Sequence, residues 1–369
     1  MLAENKNYKS IWLDKSDPEV VRAINQKRLP FFFEICEFRT VDDIFNAIKE
    51  MTIRGAPVIG AAGAFGIYLA TLEITATTNP HKHLENAARY LISCRPTAVN
   101  LAWAVNHVME KLEKNIPAQS LSAIALKASL EICENEEESC RKIGINGLKI
   151  IEKISRKKNK EPLNILTHCN AGWLACIDYG TVTAPVYLAH EKGIPVHVWV
   201  DETRPLNQGA RLTTWELEQA GVPYTLITDN AGGHLMQHGM VDVVMVGSDR
   251  TTRNGDVANK IGTYLKALAA FENNIPFYSV FPSSTLDPDI SDGLSEIPVE
   301  ERDPEEVTTV TGLAGGKMES VRICPENSVA ANYGFDVTPV KYITGYITEK
   351  GIYKAVEKEL LKMFADKLK

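Results

Sequence analysis

Side chains that could carry chemistry recur directly after short apolar runs in the second half of the chain. Cys169 and Asn170 follow the run NILTH, and Asp249 and Arg250 follow the run VVMVG after one serine. A thiol and a carboxyl can both move protons during a reaction, and a thiol can also act as a nucleophile. Because ligands of parallel sheets bind beyond the carboxyl ends of the strands, residues at these ends are candidates for one common site. We therefore expect Cys169 and Asp249 to meet across a cavity at one edge of a sheet.

Three further apolar runs end in polar residues in the same way. The run VHVWV is followed by DETRPLNQGAR, which contains Gln208, the run YTLI by TDN, and the run PFYSVF by PSST. After Asp249, the segment NGDVANK places Asn259 and Lys260 at a predicted helix start. Backbone N–H groups, a helix dipole and a lysine are together suited to bind an anionic group such as phosphate. The strand ends therefore predict a ligand site with an anion-binding part.

Each of the two central candidates also has an ordinary structural interpretation. Cys169 could be a packed thiol, but we expect the next helix to begin within a few residues, where its N–H groups would favour a thiolate. Alternation along the strand puts His168 on the opposite side, so we assign His168 a structural role. Asp249 could cap the following segment. Because it ends an apolar strand, we expect its carboxyl to lie in a low dielectric that favours the protonated acid and suits proton donation.

Two arginines of the first half stand beside turns that open predicted helices. Arg54 lies in IRGAP together with Gly55 and Ala56, where backbone N–H groups would be available to an oxyanion, and Arg95 precedes a helix that we expect to start at Pro96. Either arginine could instead extend over a helix surface for structural reasons. The repetition of the pattern favours a phosphate clamp made by the two guanidinium groups.

The elements that must position these residues change in type along the chain. Residues 1–155 are mostly helical in pattern after an extended opening, and residues 156–369 alternate short apolar strands with helices. Regular alternation predicts right-handed βαβ units and a parallel sheet, so we predict two domains of the α/β class with this boundary. No GxGxxG lies between a strand and a helix, and no GxxxxGK[ST] is present, so neither a dinucleotide fingerprint nor a phosphate-binding P-loop is predicted.

The composition excludes several other classes of protein. The 369 residues are 44% hydrophobic and 24% charged, which is typical of a globular protein with a sizeable core. The net charge is -7 without a long basic block, which argues against nucleic-acid binding. No apolar run reaches the roughly 18 residues of a membrane span. The start of the chain has no apolar signal-peptide core, so we expect a cytoplasmic protein. Seven cysteines without a CxxC pair argue against a disulfide framework or a structural metal site.

Seven motifs together resemble a known family. They are IRGAPVIGAAGAFG, RPTAVNLAWAV, THCNAG, DETRPLNQGARLTTWEL, TLITDN, GSDRTTRNGDVANKIGTY and FDVTP with YITGYITEKG. In this order they resemble the methylthioribose-1-phosphate isomerases, which are homologous to the regulatory subunits of the guanine-exchange factor of translation initiation. The resemblance extends from about residue 50 to about residue 351.

The resemblance implies a fold, a reaction and a set of site residues. The fold is a small, largely helical N-terminal α/β domain followed by a Rossmann-like domain without a nucleotide, in a homodimer. The reaction converts 5-methylthioribose 1-phosphate into the corresponding ribulose 1-phosphate in methionine salvage. The catalytic residues fall on Cys169 and Asp249. The substrate-binding positions fall on Arg54, Gly55, Ala56, Arg95, Gln208, Asn259 and Lys260.

The chemistry of this reaction explains the residue types. Phosphate on the C1 oxygen prevents ordinary ring opening, so an acid, for which Asp249 is our candidate, must protonate the ring oxygen as the bond to C1 breaks. Hydrogen must then move from C2 to C1. Cys169 could carry it as a proton through a phosphoenolate, or a hydride could shift directly while Cys169 shapes a dry pocket. Neither route requires a metal or an organic cofactor.

Departures from the family pattern leave two alternatives open. Trp173 and Cys176 follow CNAG, Ser248 stands in GSDR, and TDNAGGHLM is more polar than usual. These changes could resize the space for the 5-substituent, so an isomerase of 5-deoxyribose 1-phosphate or another 5-modified ribose 1-phosphate is one alternative. A non-catalytic regulatory or binding subunit of the exchange-factor type is the other. The presence of HCNAG, GSDR and NGDVANK together favours an enzyme.

Overall fold

The computed structural model describes residues 1–4, 6–95, 99–112, 116–159 and 161–365. The chain forms two compact units. The first unit comprises Met1–Cys140 and Trp173–Gly180, and the second unit comprises Arg141–Gly172 and the described residues from Thr181 onward. The predicted boundary at residue 155 is the end of a long helix, Ala118–Ser155, whereas the compact units divide at Cys140 within this helix.

The first unit is largely helical, with two small sheets. Its strands are β1 (Leu2–Ala3), β2 (Lys6–Asn7), β3 (Ile11–Leu13), β4 (Val21–Ile24) and β5 (Ile35–Phe38). Its helices are α1 (Val41–Lys49), α2 (Ala56–Leu72), α3 (Pro80–Ser93), α4 (Val99–Lys111) and the part of α5 (Ala118–Ser155) that ends at Cys140. The strands β3, β4 and β5 form an antiparallel meander.

Helix α2 is the centre of the first unit, and its small residues explain why. All residues from Pro57 to Thr71 are buried, so the helix is apolar on every side. A Cβ atom added at Gly63 would lie within 3 Å of Leu101 and Val105 on α4, and one added at Gly66 would press on Leu91 of α3. The glycines therefore allow neighbouring helices to approach closely. None of the helices in the described residues is long and apolar enough to cross a membrane.

The second unit alternates strands and helices as the sequence predicts. Its main elements are β6 (Leu163–Thr167), α6 (Thr183–Glu191), β7 (Val196–Asp201), a π-helix (Gly209–Thr213) that continues into α7 (Thr214–Gln219), β8 (Tyr224–Ile227), α8 (Ala231–Gln237), β9 (Val243–Val246), β10 (Arg250–Thr252), β11 (Val257–Lys260), α9 (Thr263–Glu272), β12 (Phe277–Val280) and β13 (Leu286–Asp287). They are followed by α10 (Gly293–Glu296), α11 (Glu305–Thr308), β14 (Thr309–Ala314), β15 (Lys317–Arg322), β16 (Phe335–Thr338), β17 (Gly345–Thr348), β18 (Gly351–Lys354) and α12 (Glu357–Met363).

A seven-stranded sheet organises the described part of the second unit. Its strand order is β8-β7-β6-β9-β12-β17-β18, and only β18 runs antiparallel to its neighbour. The first six strands follow the Rossmann order, in which the chain builds outward from β6 in one direction and then from β9 in the other. The structure thus confirms the predicted α/β class and the Rossmann-like parallel sheet. Residues Val243–Val246 of β9 are all buried, as expected for a central parallel strand.

Smaller sheets complete the second unit. The strands β13, β10, β11 and β16 form a four-stranded sheet that contains the NGDVANK segment, and β14 pairs with β15 in a two-stranded hairpin. The peptide N–H of Asp249 donates to the Ala258 carbonyl oxygen at 2.9 Å, next to the β10–β11 pairing. The four-stranded sheet therefore begins where the chain leaves β9.

Candidate active site

The two candidate catalytic residues leave the sheet from neighbouring strands at its topological switch point. Cys169 follows β6 and Asp249 follows β9, and these strands pair in parallel with Leu166 opposite Val244. Beyond the sheet, a Cβ atom built on Gly247 would lie 3.1 Å from the Ala171 side chain, so the two strand ends stay close. Ligands of open α/β sheets bind in the crevice at this point.

Cys169 is buried and has an unusual backbone conformation. Its residue exposure is 9% and its φ is +64°, a left-handed value that residues with a side chain rarely adopt. Its peptide N–H donates to the Thr203 hydroxyl oxygen at 2.8 Å. Its carbonyl oxygen accepts from the Thr213 hydroxyl at 2.7 Å. The thiol therefore belongs to a residue whose backbone is fixed on both sides.

The expected helix start directly after Cys169 is wrong, because the chain first turns over a buried carboxylate. Helix α6 begins only at Thr183. Glu216 is fully buried and accepts from the Asn170 side-chain amide at 2.9 Å and from the Tyr187 hydroxyl at 3.0 Å. A Cβ atom at Gly172 would overlap the Glu216 carboxylate, so only glycine fits there. Hydrogen bonds, and not a helix dipole, fix the turn that follows the thiol.

His168 is buried behind this turn and is hydrogen-bonded through both ring nitrogens. Its Nε2 lies 2.8 Å from the Ile261 carbonyl oxygen and its Nδ1 lies 2.9 Å from Asp201 Oδ2. A carbonyl oxygen only accepts, so Nε2 carries a hydrogen. These bonds connect the end of β6 to the end of β7 and to the start of α9.

The same region contains three groups that could act as metal ligands. The side chains of His168, Asp201 and Asp229 offer ligand atoms within 4.8 Å of one another. Lys266 Nζ lies 3.0 Å from Asp201 Oδ2 and also donates to the Asp229 carbonyl oxygen. Because an ammonium group already balances the buried Asp201 carboxylate, this cluster needs no ion to be neutralised.

The expectation that Asp249 lies in a low dielectric is wrong, because its side chain is exposed. Strand β9 ends at Val246, and the residues Gly247, Ser248 and Asp249 lead the chain out of the sheet. The peptide N–H of Asp249 donates to the Ala258 carbonyl oxygen, so the residue lies at the start of the four-stranded sheet and not within the apolar strand β9. Its assignment as the acid therefore rests on its position at the switch point and not on burial.

Asn259 and Lys260 lie at the end of strand β11, not at a helix start. Asn259 donates from its amide to the Thr263 hydroxyl at 3.0 Å, and Lys260 Nζ donates to the Gly334 carbonyl oxygen at 2.8 Å. The α9 helix does begin shortly afterwards, at Thr263. Both residues are therefore fixed by hydrogen bonds within the second unit.

The backbone groups that we expected to bind phosphate near Asn259 are already satisfied. The N–H groups of Gly262 and Tyr264 donate to the Asp336 carboxylate at 2.7 and 3.1 Å. Burial raises the pKa of Asp336, although these two N–H groups, His168 and Lys266 act in the opposite direction. The expectation of free amides here is wrong, because a carboxylate far along the chain occupies the helix start.

Gln208 presents an unsatisfied acceptor. Its residue exposure is 4%, and its side-chain Oε1 is buried without a hydrogen-bond partner among the described residues. It directly precedes the π-helix Gly209–Thr213, and single π-turns are frequent at functional sites. Buried acceptors are nearly always hydrogen-bonded in proteins, so this oxygen is suited to a donor from a ligand.

The predicted phosphate-binding residues of the first half belong to the first unit. Arg54 is half-buried, and Gly55 has a φ of +98° as the N-cap of α2. A Cβ atom on Gly55 would overlap Ala175, whose carbonyl oxygen accepts from Val58 N–H at 3.4 Å. The sharp turn of IRGAP therefore packs on the chain segment that follows CNAG.

Arg95 also lies in the first unit, as do Trp173 and Cys176 among the departures from the family pattern. Arg95 is half-buried, with Nη1 4.0 Å from the sulfur of Met51. Pro96, where we predicted a helix start, lies outside the described residues, and α4 is described from Val99. The side chains of Trp173 and Cys176 are almost fully buried.

Three residues of the site region were missed by the sequence interpretation. They are Thr203, Thr213 and Glu216, all of which are buried in contact with the turn after β6. A weak signal exists in the sequence, since all three belong to one motif, DETRPLNQGARLTTWEL. The burial of polar residues that follow a strand end is not visible without the fold.

Comparisons with known proteins agree with the geometry. The model of the initiation factor 2 subunit family matches residues 52–355. The methylthioribose-1-phosphate isomerase of Desulfatibacillum aliphaticivorans is 53% identical over 100% of both chains, and that of Desulfosudis oleivorans is 55% identical over 97% of both chains. These relatives confirm the resemblance on which the sequence interpretation was based.

Two solved structures extend the comparison. The chain is similar to the crystal structure of 5-methylthioribose 1-phosphate isomerase from Pyrococcus horikoshii, with a TM-score of 0.84 and 39% identity over 98% of this chain and 97% of that one. It is also similar to the translation initiation factor eIF-2B subunit delta from A. fulgidus, with a TM-score of 0.81 and 37% identity over 97% of this chain and 100% of that one. From its sequence and its fold, the chain belongs to the initiation factor 2 subunit family.

Proposed function

We propose that this protein is an aldose-ketose isomerase that converts 5-methylthioribose 1-phosphate into 5-methylthioribulose 1-phosphate in methionine salvage. Relatives more than half identical over almost their whole length carry the name of this enzyme. The observation that carries the proposal is the placement of Cys169 and Asp249 after adjacent parallel strands at the switch point of the sheet. A thiol and a carboxyl at one sheet edge are the groups that this isomerisation requires.

Asp249 is the proposed acid that protonates the ring oxygen while the bond between this oxygen and C1 breaks. The side chain of Asp249 is exposed, so a bound substrate can reach it. The negative charge of a phosphate bound nearby would favour the protonated carboxyl, since like charges disfavour ionisation. The substrate itself would then help to supply the proton that its ring opening needs.

Cys169 is the proposed group at C1 and C2. It either carries the proton between these carbons through a phosphoenolate or shapes the pocket for a direct hydride shift. The burial of this residue supports both routes, because a proton held in a pocket without bulk water is not lost by exchange. Loss of even part of a C2 deuterium label to solvent during turnover would establish the proton route, because a directly shifted hydride cannot exchange.

The remaining contacts to the substrate are assigned by residue type. Gln208 offers its unsatisfied buried oxygen to a sugar hydroxyl, and the side chains of Asn259 and Lys260 offer donors. Arg54, with Gly55 and Ala56 beside it, and Arg95 are proposed to bind the phosphate, because guanidinium groups match phosphate oxygens in pairs. The proposed reaction uses no metal and no organic cofactor.

We further propose that the protein acts in the cytoplasm as a homodimer, without a nucleic-acid or membrane partner. The net charge of -7 supports the absence of a nucleic-acid partner, and the family resemblance supports the dimer. Light scattering of the purified protein would determine the oligomeric state, with one uniform mass of two chains as the expected result.

A second candidate function is a non-catalytic subunit of the exchange-factor type. The similarity to the structure named eIF-2B subunit delta favours it, because both fold and coverage are nearly as good as for the isomerase. Such a protein would need neither the thiol of Cys169 nor the carboxyl of Asp249.

Turnover decides between the two functions. The purified protein is incubated with 5-methylthioribose 1-phosphate and, separately, with 5-deoxyribose 1-phosphate, and ketose phosphate is followed by NMR. We expect product from the methylthio sugar, with the higher kcat/KM in a competition between the two. A preference for the deoxy sugar would favour the related isomerase. No ketose from either sugar would favour the binding subunit.

A further inference from the structure

The backbone conformation of Cys169 is costly and needs a cause. A residue with a side chain in the left-handed region costs on the order of 1–3 kcal/mol, and such conformations persist only where the surroundings enforce them. Neighbouring Asn170 and the preceding strand β6 are not left-handed, so the strain is specific to the residue that carries the thiol. Contacts from other residues must therefore hold Cys169 in this conformation.

One contact comes from Thr203. Its hydroxyl oxygen accepts the Cys169 N–H at 2.8 Å and donates its own hydrogen to the Asp201 carbonyl oxygen at 3.0 Å. Thr203 is itself left-handed, with a φ of +67°, and fully buried. Its N–H and that of Arg204 both donate to the Asp229 carboxylate at 2.7 Å. The hydroxyl thus has a fixed position and a fixed direction.

The other contact comes from Thr213, at the end of the π-helix. Its hydroxyl donates to the Cys169 carbonyl oxygen at 2.7 Å and accepts from the Asn170 side-chain amide at 3.3 Å. The residue is 1% exposed. Cys169 is therefore held on its N–H side by one threonine and on its carbonyl side by another, and neither hydroxyl has an alternative partner in solvent.

We propose that Thr203 and Thr213 are positioning residues that set the direction of the Cys169 thiol. The proposal rests on the proposed catalytic role of Cys169 and deepens it. The φ angle of a residue fixes the direction of its Cα–Cβ bond, so relaxation of Cys169 out of the left-handed region would carry the sulfur away from its working position. Displacements of about 1 Å in a catalytic group can reduce rates by about 10²-fold.

The chain offers a matched control for the test. Thr213 and Thr214 are adjacent and both buried, but the Thr214 hydroxyl donates to the Ala210 carbonyl oxygen within its own helix and does not reach Cys169. Valine has the shape of threonine without the hydroxyl, and serine retains the hydroxyl. The variants T213V, T213S and T214V therefore separate the hydroxyl contact to Cys169 from the loss of any buried hydroxyl.

Two measurements are made on these variants: kcat and KM with 5-methylthioribose 1-phosphate, and the rate of alkylation of Cys169 by iodoacetamide, read by peptide mass. We expect T213V to lower kcat by about 10- to 100-fold with KM within about twofold, and to change the alkylation rate. We expect T213S and T214V to remain close to the unchanged protein in both measurements. The variants T203V and T203S should behave as T213V and T213S do, and they replace that pair if T213V does not fold.

Equal kcat and equal alkylation rates for T213V and T214V would overturn the proposal, as would a T213S variant as impaired as T213V. The alkylation rate separates this outcome from failure of the proposed function. If the protein proves not to be an isomerase but T213V alone changes the alkylation of Cys169, the threonines position the thiol for another purpose. If the unchanged protein turns over the substrate but T213V and T203V match T214V in kcat and in alkylation rate, the isomerase function stands and the positioning role is wrong.

Discussion

The turn after β6 and the turn after β9 carry the two candidate catalytic residues. The two turns differ in the burial of these residues and in the hydrogen bonds that fix their backbone. After β6, Cys169 is buried, left-handed and hydrogen-bonded on both sides of its backbone. After β9, Asp249 is exposed and is fixed through its N–H to Ala258. A thiol that acts on one carbon–hydrogen bond needs a defined direction and little water. An acid that must regain its proton after each turnover benefits from contact with solvent.

Removing the thiol should have the largest effect on turnover. We expect C169S to lower kcat by about 10²–10⁴-fold without loss of fold, because a hydroxyl is a much poorer proton carrier and nucleophile than a thiol. NMR of the ketose product and circular dichroism give the two readings. C324S, which alters a half-buried cysteine of the second unit, is the control and should be fully active. Near-normal turnover by C169S would remove the thiol from the mechanism.

Replacing the exposed acid Asp249 should greatly lower the rate of turnover and hardly change the stability. We expect D249N to lower kcat by about 10²–10⁴-fold, since the amide has no acidic proton to give. Its unfolding midpoint in urea should shift little, because exposed substitutions usually change the free energy of unfolding by less than about 0.5 kcal/mol. A strongly destabilised D249N would show that the side chain of Asp249 contributes to the stability of the turn after β9.

Replacing Gly172 in the turn after β6 should clearly lower the stability of the protein. We expect G172A to lower the free energy of unfolding by about 1–3 kcal/mol, because the added Cβ atom overlaps the buried Glu216 carboxylate. G233A is the matched control, since its Cβ atom would meet only Ala269 at 3.8 Å and alanine favours the α8 helix. Urea midpoints compare the two. Equal stability of G172A and G233A would show that the turn is more adaptable than its geometry indicates.

The smallest effect concerns Asp336, which closes the start of α9 near both turns. Burial raises its pKa above the ordinary 3.8, so the folded protein binds this proton more tightly than the unfolded chain. The resulting stabilisation is present at low pH and is lost as the pH rises from near 3.8 through the raised value. The unfolding free energy of the unchanged protein, relative to D336N, should therefore fall across this window. A difference that rises with pH would show that the N–H groups of Gly262 and Tyr264 outweigh burial.

Local patterns were sufficient to predict the parallel sheet and the strand ends at which the candidate residues lie. Strand and helix alternation is written in the sequence, and the chirality of βαβ units then determines which ends of the strands face a ligand. The residues after β6, β7 and β9 therefore emerged as candidates before the fold was known. The Rossmann strand order at Cys169 and Asp249 is a consequence of the same rule.

Contacts between distant parts of the chain could not be predicted in this way. The exposure of Asp249 depends on pairing with Ala258, and the satisfaction of the amides near Asn259 depends on Asp336, more than 70 residues away. The delayed start of α6 follows from the burial of Glu216 beneath Gly172, a fit between residues from two segments. Each of these outcomes is decided by packing, which no local pattern contains.

We propose above that turnover depends on the Cys169 thiol at the switch point of the sheet. Iodoacetamide treatment separates this thiol from the other cysteines, when the alkylated fraction of each cysteine is followed by peptide mass and isomerase activity is measured on the same samples. We predict that activity falls in proportion to the alkylated fraction of Cys169. Bound ketose phosphate should slow the alkylation of Cys169 and the loss of activity by the same factor. Protein that is fully alkylated at Cys169 and still converts 5-methylthioribose 1-phosphate at the original rate would show that turnover does not need this thiol.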